Sequence, residues 1–295
     1  ILCSLALIIF WILRGGVTFR SQWNLTRWKG MLRETLPFGL GALCIIVLYK
    51  EDTIMLNWLR GNAETGFYNY AFRLMEGTLI LPQALALACY PTFSRIYHEG
   101  QAVQPLAEKF QRWLLIFSVP IMVGGILVVP PIIEWIDPNY QPSARVLQLL
   151  LLALPALYLN YLTGTLLRSV DRQVYNMIGA LIALVSNFLI NLLLIPRYGA
   201  AGAAVATAVA QSIYFICMYA MLRKTIGGLG IKAYIGPLIL CSGLMGLAVY
   251  GTSYVSVLVS IPTGAIVYFI LAYATQLLRK EDMKEMLQFL RGRTG

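Results

Sequence analysis

Residues 48–91 read LYKEDTIMLNWLRGNAETGFYNYAFRLMEGTLILPQALALACYP, two long apolar segments joined by a short loop. Five charged residues of this hairpin lie inside otherwise membrane-grade sequence, and they are Lys50, Glu51, Asp52, Arg73 and Glu76. Ionisable groups at the centre of a bilayer cost about 2.5–3.5 kcal/mol each on insertion scales. Such residues are therefore interpreted first as a functional site.

The composition of the whole chain is that of a membrane protein. Hydrophobic residues make up 59% of it, charged residues 12%, and the mean hydropathy is +0.71. The apolar runs are about 20 residues long, which is the length of a membrane-spanning helix. We therefore predict an all-α fold, a polytopic membrane helix bundle with about nine transmembrane helices. The predicted spans cover residues 1–13, 36–59, 66–94, 113–133, 145–167, 173–195, 200–222, 233–250 and 257–278.

The loops between these spans predict the orientation of the chain. Most of the 23 basic residues fall in alternate loops and in the segment 279–295. Because cytoplasmic loops accumulate Lys and Arg, we expect the C-terminus in the cytoplasm and the N-terminus outside. The net charge of +10 is then a topology signal, and nucleic-acid binding is not needed to explain it. The chain starts in an apolar run without a basic region before it, so a signal peptide is not expected and a longer protein is.

The inventory of reactive side chains argues against an enzyme. The five cysteines stand singly in apolar runs, and the one histidine, His98, lies among charged loop residues. Neither a metal site nor a nucleophilic catalytic set can be assembled from them, and no cofactor is expected. The longest loop, 14–35, is basic and carries no paired carboxylates, which disfavours a membrane glycosyltransferase or polymerase.

A polar stripe follows the third predicted span. Asn69, Arg73, Glu76 and Gln83 fall within about 80° of one another on an ideal helix. Asp52 and Arg73 both lie roughly 10 Å below the outer interface at 1.5 Å per residue, so an ion pair between them is possible by depth. That pair would lock two neighbouring helices, which is the structural alternative to a site.

Under the functional interpretation, the stripe lines a water-filled cavity. Lys50 and Arg73 attract an anion there, and Asp52 or Glu76 binds a proton or sodium. Lys50, Glu51 and Asp52 are consecutive and cannot all face the same way. We expect Glu51 to point at a neighbour or toward the outer headgroups.

A second polar stripe occurs in the sixth predicted span. Asn176, Asn187 and Asn191 share one face, and Asn160 lies in the span before it. Asparagines in hydrocarbon bond across helices for roughly 0.5–2 kcal/mol, so helix-to-helix adhesion is one interpretation. Binding of sugar hydroxyls by Asn176 and Asn187, and by Asn69 of the first stripe, is the other.

Two stretches resemble one family. The run from Lys50 to Tyr97, with its D-x-x-M-L, G-x-Y-x-x-A and later L-P…P pattern, is similar to the first hairpin of the second lobe of polysaccharide-export flippases. The run NLLLIPRYGAAGAAVATAVAQ, residues 191–211, resembles a signature of the same family. The resemblance is to the oligosaccharide flippases of the MOP superfamily, the Wzx-type exporters related to lipid II flippases and to multidrug and toxin extrusion (MATE) antiporters.

The resemblance implies the second lobe of a MATE-like two-lobed transporter, the C-terminal portion of the family's length. Substrates of the family bind between lobes. The implied division is 1–13 as the last helix of a truncated first lobe, 14–35 as a cytoplasmic amphipathic linker, 36–222 as the second six-helix lobe, 223–278 as two additional helices and 279–295 as a cytoplasmic amphipathic tail.

The implied function is translocation of a lipid-linked oligosaccharide, a polyprenyl pyrophosphate glycan, across a prokaryotic inner membrane by alternating access. Lys50 and Arg73 would then meet the pyrophosphate, while Asp52 and Glu76 serve coupling or charge pairing. The lipid bilayer is the expected environment, and a glycan polymerase and glycosyltransferases of the same pathway are the implied partners. A cation-coupled multidrug antiporter on the same fold is the alternative.

Overall fold

The computed structural model describes residues 10, 25–253 and 256–278, and these are almost entirely α-helical. The chain divides into two compact units, Ile1–Pro37 and Phe38–Gly295. In the first unit, Trp28 and Met31 are exposed at the start of the first long helix. Apart from the beginning of this helix, the features described below lie in the second unit. The predicted spans and segments at 1–9, 11–24 and 279–295 lie outside the described residues.

Nine helices make up the described part of the chain. They are α1 Leu25–Arg60, α2 Asn62–Thr78, α3 Ile80–His98, α4 Gln104–Ile136, α5 Pro142–Leu151, α6 Leu154–Ser169, α7 Gln173–Ile226, α8 Lys232–Ser253 and α9 Val257–Ala274. A short 3₁₀ helix, Pro138–Tyr140, joins α4 to α5. The all-α prediction is confirmed.

Two predicted spans are bent helix pairs. The span 66–94 consists of α2 and α3, which meet at an angle of 42°, and the span 145–167 consists of α5 and α6, which meet at 44°. Within the described residues, four helices are long and apolar enough to cross a membrane, or up to six when each bent pair counts as one span. The count of about nine spans stays a prediction. The predicted boundary between linker and lobe at residue 35 falls inside the uninterrupted helix α1.

Helix α7 is a hairpin of two arms. Its 54 residues would extend about 81 Å if straight, far more than the roughly 30 Å of hydrocarbon in a bilayer. Gly199 interrupts it with φ 57° and ψ −134°. A Cβ on Gly202 would lie 2.5 Å from the carbonyl oxygen of Leu194, so the chain folds back on itself at this point. The two arms correspond to the separate spans predicted at 173–195 and 200–222.

Two hydrophobic clusters hold the described helices together. The larger one runs through α1 to α7, with Leu56, Met75, Phe93 and Leu154 among its fully buried side chains. The smaller one joins α8 and α9 to α4. A Cβ on Gly264 of α9 would lie 2.5 Å from a methyl of Val249, which shows how closely α8 and α9 approach.

The exposed surface of the bundle is suited to lipid. In the most apolar stretch of each of the four long helices, only 22–39% of the residues are buried. Large aliphatic side chains are prominent among the exposed ones. Trp58, Trp135 and Tyr198 are exposed near one end of the bundle, as aromatic residues are at a membrane boundary. The other end carries basic side chains, and we call it the basic end: Arg95, Arg168, Arg172, Arg223, Lys224 and Lys232.

The turn at Gly199 gives a testable prediction. Its backbone lies in a region that side chains rarely adopt, and a Cβ there would lie 2.5 Å from Oε2 of Glu64. We expect Gly199→Ala to lower the free energy of unfolding by about 1–3 kcal/mol or more. Thermal unfolding of the protein in detergent measures this loss.

The matched control is Gly243→Ala on α8, where a Cβ would meet nothing within 4 Å. That substitution is expected to be neutral or to stabilise the helix by up to about 1 kcal/mol. Equal melting temperatures for the two variants would contradict the role of the turn.

Candidate functional site

The most buried charged group in the described residues is Asp52 of α1, whose exposure is 1%. Four side chains donate hydrogen bonds to its carboxylate. The hydroxyls of Tyr68 (2.7 Å) and Thr207 (2.8 Å) reach Oδ2, and the amides of Asn187 (2.8 Å) and Asn191 reach Oδ1. We call these five residues the Asp52 cluster.

The helices bring the cluster together from distant parts of the sequence. Asn187 and Asn191 are four residues apart on the first arm of α7, so they share one face. Thr207 lies on the second arm, whose buried alanines let the neighbouring helices approach closely. Tyr68 is contributed by α2 and is 1% exposed.

The cluster is electrically unbalanced. The four side chains that donate to Asp52 are all neutral. Among the described residues no lysine, arginine or histidine forms an ion pair with it. Glu51, the residue before Asp52, is also buried, at 7% exposure.

Several oxygens around Asp52 have no hydrogen-bond partner. They are Oδ1 of Asn187, Oδ1 of Asn191 and Oε1 of Glu51. The hydroxyl of Thr207 has a single proton, yet both Asp52 and the carbonyl of Ala203 (3.0 Å) lie in position to accept it. The cluster thus holds more acceptor oxygens than protons to satisfy them.

The ion pair that depth allows between Asp52 and Arg73 does not form in this structure. Equal depth gives height along the helices and not direction around them. Arg73 follows Tyr68 by five positions on α2, which places the two side chains about 140° apart around the axis. Because Tyr68 points at Asp52, Arg73 points away from it and is exposed.

The other residues of the hairpin also differ in placement. Lys50 and Glu76 are exposed, and Asn69 is half-buried, its Oδ1 accepting from Thr53 at 2.9 Å. Glu51 is 7% exposed, so of its two expected placements the structure has the one against neighbouring side chains and not the one toward the headgroups.

The second polar stripe divides between two places. Asn187 and Asn191 belong to the Asp52 cluster, whereas Asn176 lies in a separate polar cavity, where its Oδ1 accepts from the hydroxyl of Tyr214 at 2.7 Å. The cavity has a volume of about 220 Å³. It is lined by Ile45, Leu48, Tyr49, Leu157, Asn160, Tyr161, Gly164, Arg168, Asn176, Gln211 and Tyr214.

The polar cavity lies next to the Asp52 cluster on the same helices. Leu48 precedes Asp52 by one turn of α1, and Gln211 follows Thr207 by one turn of α7, in both cases toward the basic end. The amide of Gln83, from the first stripe, donates to the hydroxyl of Tyr161 at 2.8 Å. The cavity therefore also contacts the stripe.

Sequence reasoning missed two members of the cluster, Tyr68 and Thr207. A hydroxyl in an apolar helix carries little signal, because threonine often bonds within its own helix, as Thr252 does to the carbonyl of Ala248. No group of three or more His, Cys, Asp or Glu residues suited to a metal occurs among the described residues.

Fold and site together define a class of protein. A polytopic helix bundle, with ionisable and amide side chains gathered at membrane depth and with bent helices beside them, is the architecture of a membrane transporter. The sequence profile of the family "Lipid II flippase MurJ" matches residues 4–272 of this chain. The chain therefore belongs to the MurJ flippase family, which is a family of transporters and not of enzymes.

Relatives with curated names are similar to this chain at low identity. A probable flippase, AglR of Haloferax volcanii, is 26% identical over 206 residues, which are 68% of this chain and 43% of that protein. An uncharacterised membrane protein of Methanocaldococcus jannaschii is 25% identical over 198 residues, 65% of this chain and 46% of that protein. The chain thus spans less than half the length of these relatives.

Solved structures are similar in fold. An inward closed conformation of lipid II flippase MurJ superposes with a TM-score of 0.70 at 20% identity, covering 92% of this chain and 60% of the other. An outward-facing MATE transporter of the MOP superfamily superposes with a TM-score of 0.61 at 14% sequence identity. The match covers 88% of this chain and 68% of that one. These structures share the fold of this chain, whereas the predicted membership of a flippase family is confirmed by the profile match over residues 4–272. The narrower Wzx-type branch stays a prediction.

The cluster gives a stability prediction. Thr207→Val keeps the shape of the side chain and removes a hydroxyl within reach of Asp52 and Ala203. Because Asp52 Oδ2 loses a buried donor, we expect the free energy of unfolding to fall by about 1–3 kcal/mol. Thermal or denaturant unfolding in detergent measures the change.

The matched control is Thr263→Val on α9, where the hydroxyl donates to the carbonyl of Val259 one turn earlier. A change within about 0.5 kcal/mol is expected there. If both substitutions shift unfolding equally, the hydroxyl of Thr207 has no special role in holding the carboxylate.

Proposed function

We propose that this chain is part of a flippase that moves a lipid-linked oligosaccharide precursor across a prokaryotic inner membrane by alternating access, with the Asp52 cluster as its coupling-ion site. Membership of the MurJ family supports transport of a lipid-linked precursor. The name of AglR, a probable flippase, supports the same class of activity. The observation that carries the proposal is a buried carboxylate that has four neutral donors and no cationic partner among the described residues.

The cluster suits a monovalent cation. A half-turn of the side-chain amides of Asn187 and Asn191 exchanges their nitrogen and oxygen, and brings both unpaired Oδ1 atoms to face Asp52. The carboxylate, two amide oxygens, the hydroxyl of Thr207 and the carbonyl of Ala203 then converge. One carboxylate with neutral oxygens matches a single positive charge, whereas hard divalent cations are usually held by more carboxylates or keep their waters.

The cluster also suits a proton. A protonated Asp52 can donate to the hydroxyl of Thr207, which then turns its own proton to the carbonyl of Ala203. Both forms of the carboxyl group are thereby hydrogen-bonded without movement of the helices. Binding of a cation and binding of a proton are thus alternatives at the same atoms, and each neutralises the buried charge.

The exposed face of α1 and α2 supports the anion-binding role of Lys50 and Arg73. A basic side chain at membrane depth is stable when it meets water or an opposite charge, and a pyrophosphate supplies that charge. Glu76 lies three residues after Arg73 and is also exposed, at a spacing that lets the two side chains approach each other on a helix. Asn69 and Asn176 are the side chains proposed for sugar hydroxyls, whereas Asn187 serves the ion site.

In this proposal the basic end faces the cytoplasm, the C-terminus is cytoplasmic, and the substrate is a polyprenyl pyrophosphate glycan of the Wzx type. Residues 36–222 form the second lobe, with 223–278 as two additional helices, and the substrate passes between this lobe and its counterpart. A glycan polymerase and glycosyltransferases act with the flippase. A MATE-type antiporter is the second candidate, supported by the fold similarity at a TM-score of 0.61.

Replacement of Asp52 tests the ion site. We expect sodium, but not potassium at equal ionic strength, to raise the melting temperature of the wild-type protein. Ligand at 100 times its Kd adds about 2.7 kcal/mol of stability. Asp52→Asn removes the negative charge and should abolish the sodium-dependent part of the shift, which thermal unfolding in each salt reports.

Glu134→Gln, an exposed carboxylate near the end of α4, is the matched control and should retain the sodium response. A protein that ignores sodium but loses the pH dependence of flipping in Asp52→Asn binds a proton at this site. Identical sodium and pH responses in Asp52→Asn and the wild-type protein exclude Asp52 from coupling.

Charge reversal tests the anion-binding face. Arg73→Glu should abolish export of the glycan, because a second negative charge repels the pyrophosphate, while membrane insertion stays normal. Glycan export in cells and the amount of protein in the membrane fraction are the two measurements.

Arg145→Glu makes the same change on an exposed residue of α5 and should leave export largely intact. Normal export by Arg73→Glu would contradict the assignment of Arg73 to anion binding. Efflux of cationic dyes driven by an ion gradient would instead favour the antiporter.

A further inference from the structure

The polar cavity beside the Asp52 cluster has properties of a binding site in its own right. Its volume of about 220 Å³ would hold roughly seven water molecules at about 30 Å³ each. That space fits one sugar ring or one small headgroup and no longer glycan. No acidic side chain is found among the described residues that line it.

One acceptor in the cavity has a fixed orientation and no partner. Nδ2 of Asn160 donates to the backbone carbonyl of Gln211 (3.1 Å) and to its side-chain Oε1 (3.0 Å). Because a carbonyl oxygen only accepts, the amide of Asn160 cannot be reversed. Its Oδ1 is buried without a hydrogen bond, and the residue is 8% exposed. A buried acceptor of this kind is satisfied by a donor from outside the chain, either a water molecule or a hydroxyl of a bound molecule that a small shift of the cavity wall admits.

A basic side chain closes the same cavity toward the basic end. Arg168 lies eight residues after Asn160 on α6, which is about 12 Å along the helix. Asn160, Gly164 and Arg168 are spaced by four residues and therefore share one face. The guanidinium donates to the hydroxyl of Thr165 at 3.2 Å and has further N–H groups to offer.

The aromatic side chains give the cavity its walls. Tyr49, Tyr161 and Tyr214 line it, and two of them are held in place: Tyr161 by Gln83 and Tyr214 by Asn176. Rigid aromatic faces with a few fixed polar groups are typical of small-molecule sites. The chemistry that fits is a phosphate at Arg168 and hydroxyls at Asn160 and the tyrosines.

We propose that this cavity binds one hydroxylated phosphate group, either a sugar phosphate or the polyol phosphate head of a membrane lipid. In the proposed function, on which this role of the site rests, the cavity is the place where the head of the lipid-linked substrate first contacts the protein. Arg168 binds the phosphate oxygens, a role for which a planar guanidinium is suited. Oδ1 of Asn160, which lies about two helical turns from Arg168, accepts a hydrogen bond from a hydroxyl of the same ligand.

The site differs in charge from the Asp52 cluster next to it. A positive side chain at the mouth of the cavity disfavours a cation and favours an anion. Since α1, α6 and α7 contribute to the cavity, and α1 and α7 also form the cluster, a group bound in the cavity fixes helices that hold the ion site.

The experiment is calorimetric titration of the intact protein in detergent with glucose 1-phosphate, and with glucose and inorganic phosphate alone. We expect glucose 1-phosphate to bind more tightly than either component. Arg168→Gln should weaken it about tenfold or more, since a hydrogen bond to a charged group is lost. Gly164→Leu should weaken it too, by filling the cavity. A Cβ at this position makes ordinary contact, 3.6 Å from Asn176 Oδ1, so the first carbon of the new side chain fits.

Matched controls carry the same substitutions elsewhere. Arg172→Gln changes an exposed arginine four residues further along, and Gly243→Leu places leucine where a Cβ meets nothing within 4 Å. Both controls should bind as the wild type does, and melting temperatures report whether Gly164→Leu folds. If Gly164→Leu does not fold, the comparison of Arg168→Gln with Arg172→Gln decides by itself whether the site exists.

A lipid arm separates the two sources of the group. In nanodiscs of phosphatidylcholine with a minor fraction of phosphatidylglycerol, native mass spectrometry counts retained phosphatidylglycerol. Loss of this lipid in Arg168→Gln, without binding of glucose 1-phosphate, assigns the site to a membrane lipid. If Arg168→Gln loses glucose 1-phosphate binding but retains phosphatidylglycerol, the site is assigned to a sugar phosphate.

The site is overturned if Arg168→Gln and Arg172→Gln behave alike toward both probes. Flipping assays on the same variants keep this outcome apart from the proposed function. A protein that flips its substrate but binds neither probe contradicts only the cavity site. A protein that binds the probes in the cavity and flips nothing contradicts only the proposed function.

Discussion

The buried carboxylate of Asp52 is the constraint on which the helix bundle depends. An ionised group taken out of water loses several kcal/mol of solvation, and here four side-chain donors replace the water. Hydrogen bonds to a charged group contribute about 1.5–3 kcal/mol each, so the ionised carboxylate depends on these four donors as long as no cation or proton neutralises it. The donors come from α2 and from both arms of α7, and these helices must therefore stay in register around α1.

The turn at Gly199 sets that register. Asn191 precedes it by eight residues and Thr207 follows it by eight, so both lie about 12 Å from the turn along their own arms. The two side chains consequently reach Asp52 at the same height. Backbone contact between Gly202 and Leu194 keeps the arms close enough for this. Ala200 at the start of the second arm donates its N–H to the carboxylate of Glu64 at 2.8 Å, which ties the turn to α2.

Much of the fold follows from the sequence, because apolar runs of spanning length determine where helices form. The separation of 173–195 from 200–222 was predicted from such runs, and the positive φ of Gly199 explains it. The partners of Asp52 could not be predicted in the same way. Height in the membrane follows from counting residues, but direction around a helix depends on tertiary packing, and Thr207 is 155 residues away in the chain. Asn187 and Asn191 were found because their spacing is local, although their partner was not.

The charged residues that point outward complete the argument. Lys50, Arg73 and Glu76 are exposed on helices that also expose large aliphatic side chains, such as Ile46, Ile54 and Leu74. Hydrocarbon cannot accommodate three such groups at low cost, so this face must meet water or protein. Gln83 reaches the polar cavity through Tyr161, and the cavity shares α1 and α7 with the Asp52 cluster. The polar cavity and the buried carboxylate thus lie on the same two helices, so a movement of α1 against α7 alters both together, as the proposed coupling of an ion to a transported anion requires.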